Sequence, residues 1–277
     1  MTLTRGRVQE LLAAGGLHPS RALGQNFVAD PNTVRRIARL AGVGPGDRVV
    51  EIGAGLGSLT LALAETGAAV TAVEVDRGLL PVLRRQVGGA GVEVVGGDAM
   101  HLDWAALLGA GPWVLVANLP YNIATPLVAD LLDGVPAIAR MVVMVQREVA
   151  ERLAAGPGDA GYGAVSVKVA YWATARLLGR VPASVFVPRP NVESALVGIE
   201  RRERPAVDPA TVPAERLFEL VRAGFGQRRK MLRRALADRV PADAWAAAGI
   251  DPEARAEQLG VEAWGRLATA TLAGAGR

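Results

Sequence analysis

Residues 49–57 read Val-Val-Glu-Ile-Gly-Ala-Gly-Leu-Gly, an apolar strand pattern that leads directly into three alternate glycines. The residues that follow, 58–64, show the pattern of a helix. Alternate glycines allow a sharp turn and let a ligand approach the backbone without meeting a Cβ atom. Because a turn between a parallel strand and a helix commonly binds a nucleotide, we expect Gly53 and Gly55 to contact a cofactor. A turn that serves only packing is the alternative.

A second strand, predicted at 71–76, carries two carboxylates on one face of its end, Glu74 and Asp76. A carboxylate one βαβ unit beyond the glycines suits the hydroxyl groups of a ribose, whereas the alternative is a solvated strand end. The glycine spacing departs from the dinucleotide fingerprint, which requires a glycine at the position of Ser58. This departure lowers the expectation of NAD.

A third strand, predicted at 92–95, ends shortly before Asp98 and Ala99. The Asp98 carboxylate can accept a hydrogen bond from the exocyclic amine of an adenine, or it can cap the segment that follows. The carboxyl ends of successive parallel strands meet at one edge of a sheet, so these strand-end groups predict a single site. Strands that alternate with helices indicate the α/β class.

The fourth strand, predicted at 113–117, ends in Asn118-Leu119-Pro120-Tyr121. The exocyclic amine of a nucleobase is a poor nucleophile because its lone pair is delocalised into the ring. The side-chain carbonyl of Asn118 and the backbone carbonyl of Leu119 can accept its two N–H bonds and direct the lone pair at an electrophile. Pro120 fixes the local backbone, and Tyr121 offers a face for an unstacked base. An ordinary strand end with a packed tyrosine is the alternative.

Two loops carry further candidates. Phe186 lies beside two prolines in a loop, and we expect it to form the second wall of a base pocket facing Tyr121, with a core anchor as the alternative. Gln25 and Asn26 precede a helix predicted at 32–41 and capped by Asp30. These amides either close over a ligand or cap a turn.

Composition excludes several classes of function. The chain has 277 residues, of which 51% are hydrophobic, enough for one large α/β domain and a smaller one. There is no cysteine, so disulfides and thiolate chemistry are excluded, and the two histidines lack the spacing of a metal site. No apolar run is long enough to span a bilayer, and the N-terminus lacks the pattern of a signal peptide. We therefore expect a cytoplasmic, metal-free protein.

The C-terminal part reads as helical, at 213–225, 227–239, 241–248 and 261–273, whereas 164–178 reads as a strand. The net charge is +4, and five cations fall within residues 228–234. They are Arg228, Arg229, Lys230, Arg233 and Arg234. Such a cluster predicts a polyanionic partner, with a solvated helix face as the alternative.

These motifs, taken in order, resemble those of the ribosomal RNA adenine dimethyltransferases, and within them the RsmA/KsgA family, which acts on the small subunit. The resemblance covers nearly the whole chain. It rests on Leu23-Gly24-Gln25-Asn26-Phe27, residues 51–57, Glu74-Val75-Asp76, Gly97-Asp98-Ala99, residues 118–121, residues 146–152, Phe186-x-Pro188-x-Pro190-x-Val192 and residues 225–232.

The resemblance implies a Rossmann-like S-adenosylmethionine-dependent methyltransferase domain at 1–203 and a small all-helical RNA-binding domain at 204–277. It implies a monomer that binds S-adenosyl-L-methionine and dimethylates, at N6, two adjacent adenosines near the 3′ end of 16S rRNA in the 30S subunit. Asn118, Leu119, Pro120, Tyr121 and Phe186 would form the catalytic pocket. The cofactor would be held by Gln25, Asn26, Val28, Gly53, Gly55, Glu74, Asp98, Ala99 and Asn118, and the RNA by the cluster at 228–234.

Two positions depart from the family pattern: Asn191 stands where lysine is usual, and Met231 where threonine is common. Both bear on RNA contacts rather than on methyl transfer. Three alternatives remain at the level of sequence. They are the Erm type, which modifies large-subunit rRNA, a non-catalytic role in ribosome assembly, and a small-molecule or NAD-dependent enzyme.

Overall fold

A computed structural model describes residues 2–275 of the chain, with side chains described as far as residue 273. The strands within this range are β1 (Phe27–Val28), β2 (Arg48–Ile52), β3 (Ala69–Glu74), β4 (Glu93–Gly96), β5 (Trp113–Asn118), β6 (Ile138–Gln146), β7 (Ala173–Val181), β8 (Phe186–Val187) and β9 (Ser194–Arg201). The α-helices are α1 (Arg5–Ala14), α2 (Pro31–Ala41), α3 (Ser58–Ala64), α4 (Leu80–Val87), α5 (Trp104–Leu108), α6 (Ala124–Gly134), α7 (Arg147–Ala154), α8 (Ala164–Trp172), α9 (Ala214–Gly226), α10 (Leu232–Ala235), α11 (Ala242–Ala248) and α12 (Val261–Ala275).

Seven of these strands form one sheet in the order β4-β3-β2-β5-β6-β9-β7. The pairings from β4 through β6 are all parallel, and β9 pairs antiparallel with β6. Helices connect the parallel strands, because a parallel crossover requires a long connection. This doubly wound arrangement confirms the predicted α/β, Rossmann-like class.

The sheet register brings the predicted strand ends together. Ile52 of β2 lies opposite Val73 of β3 on one side and Ala117 of β5 on the other. The glycine turn, Glu74 and Asn118 therefore follow three adjacent strands at the same edge. Each of these strands is almost completely buried, which explains their mostly apolar sequences.

Helix α2 shows how local sequence sets the element boundaries. The Asp30 side chain accepts a hydrogen bond of 2.9 Å from the backbone N–H of Thr33, as predicted for its N-cap. Pro31 occupies the first turn, where its missing N–H has no cost. Gly42 ends the helix in the left-handed conformation.

The chain divides into two compact units. The first comprises the chain up to Ala150 together with Arg176–Glu200, and the second comprises Glu151–Ala175 together with the chain from Arg201 onward. The second unit has its own apolar core, which includes Trp264, Tyr171 and Leu217. The sequence prediction set a single boundary near 204, so the structure adds residues 151–175 to the C-terminal unit.

The prediction of a strand over 164–178 is wrong for its first part, because residues 164–172 form helix α8. The Ser166 hydroxyl accepts from the N–H of Gly163 at the start of the helix and donates to the carbonyl of Arg152 at 2.6 Å. Val167 and Tyr171, four residues apart, are both fully buried in the core of the second unit. The apolar residues of this segment are therefore spaced for a helix, and this spacing decides its structure although several of its residues are β-branched.

The helix predicted over 227–239 is also wrong in most of its length. Residues 227–230 form a turn, and only α10 follows within this range. The N–H groups of Leu232 and Arg233 donate to the carbonyls of Ala254 and Pro252, at 2.8 and 2.9 Å. These tertiary hydrogen bonds replace the bonds that a continuous helix would make. In the described part of the chain, no helix is long and apolar enough to cross a membrane.

Candidate active site

A cavity opens at the sheet edge where β2, β3 and β5 end, and most of the predicted site residues line it. Those in its wall are Gln25, Asn26, Val28, Gly53, Gly55, Glu74, Asn118, Leu119, Pro120 and Tyr121. The structure thus brings together residues that are separated in sequence by as much as the distance from Gln25 to Tyr121. Asp98, Ala99 and Phe186 are not in the wall.

The glycine turn requires glycine at more than one position. Gly53 and Gly55 have φ values of 74° and 59°, in the left-handed region that disfavours side chains. A Cβ atom at Gly55 would also lie 3.0 Å from the ring of Phe27. Both the backbone conformation and the space beside Phe27 therefore favour glycine in this turn.

Glu74 is buried and is not a solvated strand end. Its carboxylate accepts hydrogen bonds from the backbone N–H of Gly55 at 2.7 Å and from that of Asp76 at 2.9 Å. Burial raises the pKa of Glu74, and the two N–H donors oppose that rise. The side chain thereby fixes the glycine turn and also forms part of the cavity wall.

The segment that contains Gln25 and Asn26 is tied to this edge by side-chain hydrogen bonds. The Gln25 amide donates to Asp76 at 2.7 Å and accepts from the N–H of Ser20 at 2.7 Å. The Asn26 amide donates to the carbonyl of Gly24 at 3.1 Å. These amides therefore order the segment as well as line the cavity.

The side chain of Asn118 is oriented by a hydrogen bond to the backbone. Its side-chain NH₂ donates to the backbone carbonyl of Asn26 at 2.9 Å, which leaves the side-chain carbonyl oxygen as the acceptor. The next residue, Leu119, donates its N–H to Met144 at 3.0 Å and so extends the pairing of β5 with β6. The acceptor is thus held by the end of the sheet rather than by a loose loop.

Tyr121 is anchored through its hydroxyl group. The Tyr121 hydroxyl and that of the fully buried Ser194 lie 2.9 Å apart. Burial raises the pKa of Tyr121, so the phenol stays neutral over the ordinary pH range. The anchored side chain lines the cavity.

The structure places three predicted residues, Asp98, Ala99 and Phe186, outside the cavity wall. The exposed Asp98 accepts from the N–H of Met100 at 3.0 Å, and this hydrogen bond holds its pKa below the usual range. Ala99 beside it is buried. Phe186 is fully buried in a cluster with Ile37 and Leu196, which matches the core-anchor alternative. Base contact by Phe186 stays a prediction.

Several residues in the cavity wall were not among the predicted site residues, and Glu51 and Val75 are two of them. Glu51 is only 1% exposed, and its Oε2 atom has no hydrogen-bond partner among the described residues. Burial raises its pKa to about 8. Val75 lines the cavity although it is 44% exposed. The sequence did carry a signal for each. Glu51 is a carboxylate within an apolar strand, and Val75 is an apolar residue between two carboxylates.

The basic cluster at 228–234 divides into paired and unpaired cations. Arg228 forms an ion pair with Glu257 at 2.7 Å, and Arg233 forms one with Glu253 at 2.8 Å. Arg229, Lys230 and Arg234 are exposed, and within residues 2–275 none of them has an acidic partner. These three cations are free to meet a polyanion.

Comparison with known proteins agrees with this geometry. A family model described as ribosomal RNA adenine dimethylase matches residues 18–271. A ribosomal RNA small subunit methyltransferase A of Streptomyces coelicolor is 48% identical, covering 94% of this chain and 94% of that protein. A protein of the same name from Cutibacterium acnes is 50% identical, covering 94% of this chain and 91% of its own length.

Two solved structures share the fold. The crystal structure of the 23S rRNA methyltransferase ErmE is 29% identical with a TM-score of 0.68, covering 88% of this chain and 99% of that chain. A dimethyladenosine transferase from Plasmodium falciparum, at 24% identity, has a TM-score of 0.72 and covers 86% of this chain and 94% of its own. Since the family model spans most of the chain and the relatives align along nearly their whole length, this chain belongs to the ribosomal RNA adenine dimethylase family.

Proposed function

We propose that the protein transfers methyl groups from S-adenosyl-L-methionine to N6 of two adjacent adenosines near the 3′ end of 16S rRNA, dimethylating each, in the 30S subunit. The observation that carries the proposal is the juxtaposition, in one cavity, of the bare glycine turn with the Asn118 amide and the Tyr121 ring. The glycine turn suits a nucleotide-like cofactor, whereas Asn118 and Tyr121 suit a nucleobase and its amine. The names of the relatives favour the small subunit as the substrate.

The residues present fit S-adenosylmethionine. Gly53 and Gly55 give the cofactor a backbone cradle, and Glu74 lies at the next strand end, where a ribose would be bound. The buried Oε2 of Glu51 and the hydroxyl of Ser58 lack partners among the described residues and line the same cavity. Unpaired buried polar atoms are costly, so they favour a polar ligand here. The site would be completed by Gln25, Asn26, Val28 and Asn118. Cofactor contacts of Asp98 and Ala99, which lie outside the cavity wall, stay predictions.

Binding of the target amine is the main task of this chain in the reaction. The bound cofactor supplies an electrophilic methyl group, so no acid is needed to activate a leaving group. Asn118 accepts one N–H of the adenine amine through its side-chain carbonyl, and the backbone carbonyl of Leu119 accepts the other. Both acceptors favour a tetrahedral nitrogen whose lone pair points at the methyl carbon. Catalysis then rests on positioning and on a preorganised polar environment.

The target base must leave its stack before it can enter the cavity. The Tyr121 ring offers a face for the extruded base, and base stacking on an aromatic ring contributes about 1–3 kcal/mol.

Three cations are available to bind RNA phosphates: Arg229, Lys230 and Arg234. We assign the second unit the role of RNA binding, with a part in small-subunit biogenesis in the cytoplasm. We propose that a monomer acts.

Transfer of labelled methyl from S-adenosylmethionine to 30S subunits that lack the modification tests this function. Nucleoside analysis should show N6,N6-dimethyladenosine, with two methyl groups at each of two neighbouring positions. Fully modified 30S subunits serve as the control and should accept no label.

The Erm type is the second candidate, because the ErmE structure matches 88% of the chain. Naked 23S rRNA, assayed in parallel, separates the two. Label in 23S rRNA but not in 30S subunits would move the assignment to the large subunit. Cofactor binding without transfer to either RNA would favour an assembly role without catalysis.

A further inference from the structure

Ser194 is a fully buried residue to which the proposed reaction assigns no role. Its Oγ atom lies 2.9 Å from the hydroxyl oxygen of Tyr121, a residue 73 positions earlier in the chain, and either group can be the donor. A buried hydroxyl group is costly unless it forms a hydrogen bond. The contact therefore satisfies Ser194, and it also acts on Tyr121, which lines the cavity.

The backbone of Ser194 is held in place by the sheet. Ser194 is the first residue of β9, where it lies opposite Gln146 at the end of β6. The residue before it, Glu193, accepts a hydrogen bond of 3.0 Å on its backbone carbonyl from the N–H of Arg147. The Ser194 hydroxyl thus has a fixed origin, although the loop of residues 188–193 precedes it directly.

The side chain of Tyr121 is attached at both of its ends. Its backbone lies in the turn that follows β5, where the N–H groups of Ile123 and Ala124 donate to the carbonyl of Pro120 at 3.2 and 3.1 Å. Its hydroxyl group is joined to Ser194 at the start of β9. Because β6 lies between β5 and β9 in the sheet, the side chain extends across the carboxyl end of β6.

The hydrogen bond to Ser194 selects one position of the Tyr121 ring. Tyr121 is only half-buried, so water could replace Ser194 as the partner of the phenol if the ring turned away. A tyrosine side chain that is attached only at its backbone has several staggered positions open to it. With the second attachment, the ring keeps the position that spans β6.

We infer that Ser194 is a positioning residue of the proposed methyl transfer, because its hydroxyl fixes the Tyr121 ring in the position on which the target adenine stacks. The inference rests on the proposed function and assigns Ser194 no contact with the RNA or with the cofactor. A fixed ring gives the base one place to stack, with its amine at Asn118. A mobile ring would hold the base in several orientations, of which only one is reactive.

Single-turnover methyl transfer tests this inference, with the protein and S-adenosylmethionine in saturating excess over 30S subunits that lack the modification. Ser194→Ala and Tyr121→Phe each remove one hydroxyl group of the pair. Each should lower the rate by about 3–10-fold, as the loss of one hydrogen bond does. The double variant should be no slower than the slower single variant, because both changes remove the same bond. Affinity for S-adenosylmethionine should stay the same in all three.

Tyr162→Phe is the matched control. Tyr162 is buried in the second unit, and its hydroxyl donates to the carbonyl of Leu259 at 2.9 Å. This variant makes the same chemical change as Tyr121→Phe, so it should lower the temperature of thermal unfolding without lowering the rate of transfer. If Ser194→Ala does not fold, Ser194→Cys keeps a side chain of similar size with a weak hydrogen-bonding group, and it should also be slow.

Losses that multiply in the double variant would overturn the inference, because the two hydroxyl groups would then act separately. A normal rate in the folded Ser194 variants would overturn it as well, whatever the result for Tyr121→Phe. In both cases the proposed function stands, since the unmodified protein still transfers methyl groups. Absence of transfer by the unmodified protein would overturn the proposed function together with the inference.

Discussion

Asn118 is fixed by two neighbours: the sheet, which ends at this residue, and the carbonyl of Asn26, which accepts its amide N–H at 2.9 Å. Asn118→Ala removes the acceptor for the target amine. We expect methyl transfer to fall by about 10²–10³-fold, as when one preorganised polar group is removed from an active site. Cofactor affinity should fall much less, because Gly53, Gly55 and Glu74 remain.

The measurement is single-turnover transfer to 30S subunits, alongside the equilibrium binding of S-adenosylmethionine to the free protein. Asn122→Ala alters an exposed amide in the same turn that does not line the cavity, and it provides the matched control. Equal losses of transfer and of cofactor binding in Asn118→Ala would argue against amine recognition by this residue.

Glu51 also affects the dependence of stability on pH. Its pKa is raised from 4.5 to about 8 in the folded protein, so the folded state retains a proton that the unfolded state loses. The contribution of this group to stability is complete below about pH 4.5 and is lost as the pH rises toward 8. The free energy of unfolding should therefore fall between pH 5 and pH 8, by at most about 1.4 kcal/mol per pH unit.

Urea unfolding at several pH values checks this prediction. Glu51→Gln removes the titrating group, and its stability should decline less steeply than that of the unmodified protein. Parallel curves for the two proteins would mean that another group causes the decline.

Among single residues, those at strand ends were the most predictable. Glu74 and Asn118 follow buried strands, and parallel strands must end at one edge. Asp98 also follows a strand, but its side chain accepts a hydrogen bond from the N–H of Met100, two residues further along the chain. The pattern of a strand does not reveal such a local hydrogen bond. The burial of Phe186 depends on the pairing of β8 with β1, which joins segments far apart in sequence.

At the level of elements, the glycine turn depends on both conformation and space. Gly55 has a φ of 59°, and an added Cβ atom would lie 3.0 Å from the Phe27 ring of β1. Gly55→Ala should lower stability by about 1–2 kcal/mol from the backbone alone, and displacement of Phe27 should add to the loss. Because Glu74 holds the N–H of Gly55, cofactor affinity should fall as well.

Gly249 offers a control for the backbone effect. It is in the left-handed conformation, with a φ of 63°, and nothing lies within 4 Å of an added Cβ atom. Gly249→Ala should therefore lose only the backbone part of the stability and leave cofactor binding unchanged. Thermal unfolding and titration calorimetry of both variants measure the difference. Similar cofactor affinities in the two variants would contradict a role for the turn in binding.

The elements of the first unit were predictable because apolar strands alternate there with capped helices. In the second unit, the errors have a common physical cause. The backbone N–H groups of Leu232 and Arg233 bond to carbonyls about twenty residues away, which ends the predicted helix. Helix α8 is buried on a core formed by residues from 212 onward. The sequence pattern of one segment does not predict such tertiary contacts with other parts of the chain.

For the whole molecule, the net charge of +4 says less about RNA binding than the distribution of paired and unpaired cations does. Counting cations in sequence gives five within residues 228–234, but ion pairs with Glu257 and Glu253 already involve two of them. Exposed ion pairs contribute little to stability, yet they reduce the positive charge available to RNA. RNA affinity should thus depend on the three unpaired cations.

The dependence of RNA binding on salt tests that distribution. Each phosphate contact contributes about 0.7–0.9 to the slope of log K against log salt concentration. Replacement of Arg229, Lys230 and Arg234 by Gln should therefore reduce the slope by about 2–3 and weaken binding most at low salt. The matched control, Arg228→Gln with Arg233→Gln, removes cations that already have acidic partners and should change the slope less. Binding of labelled 16S rRNA at a series of salt concentrations gives both slopes. A larger change in the control than in the triple variant would place the RNA-binding charge on the paired arginines instead.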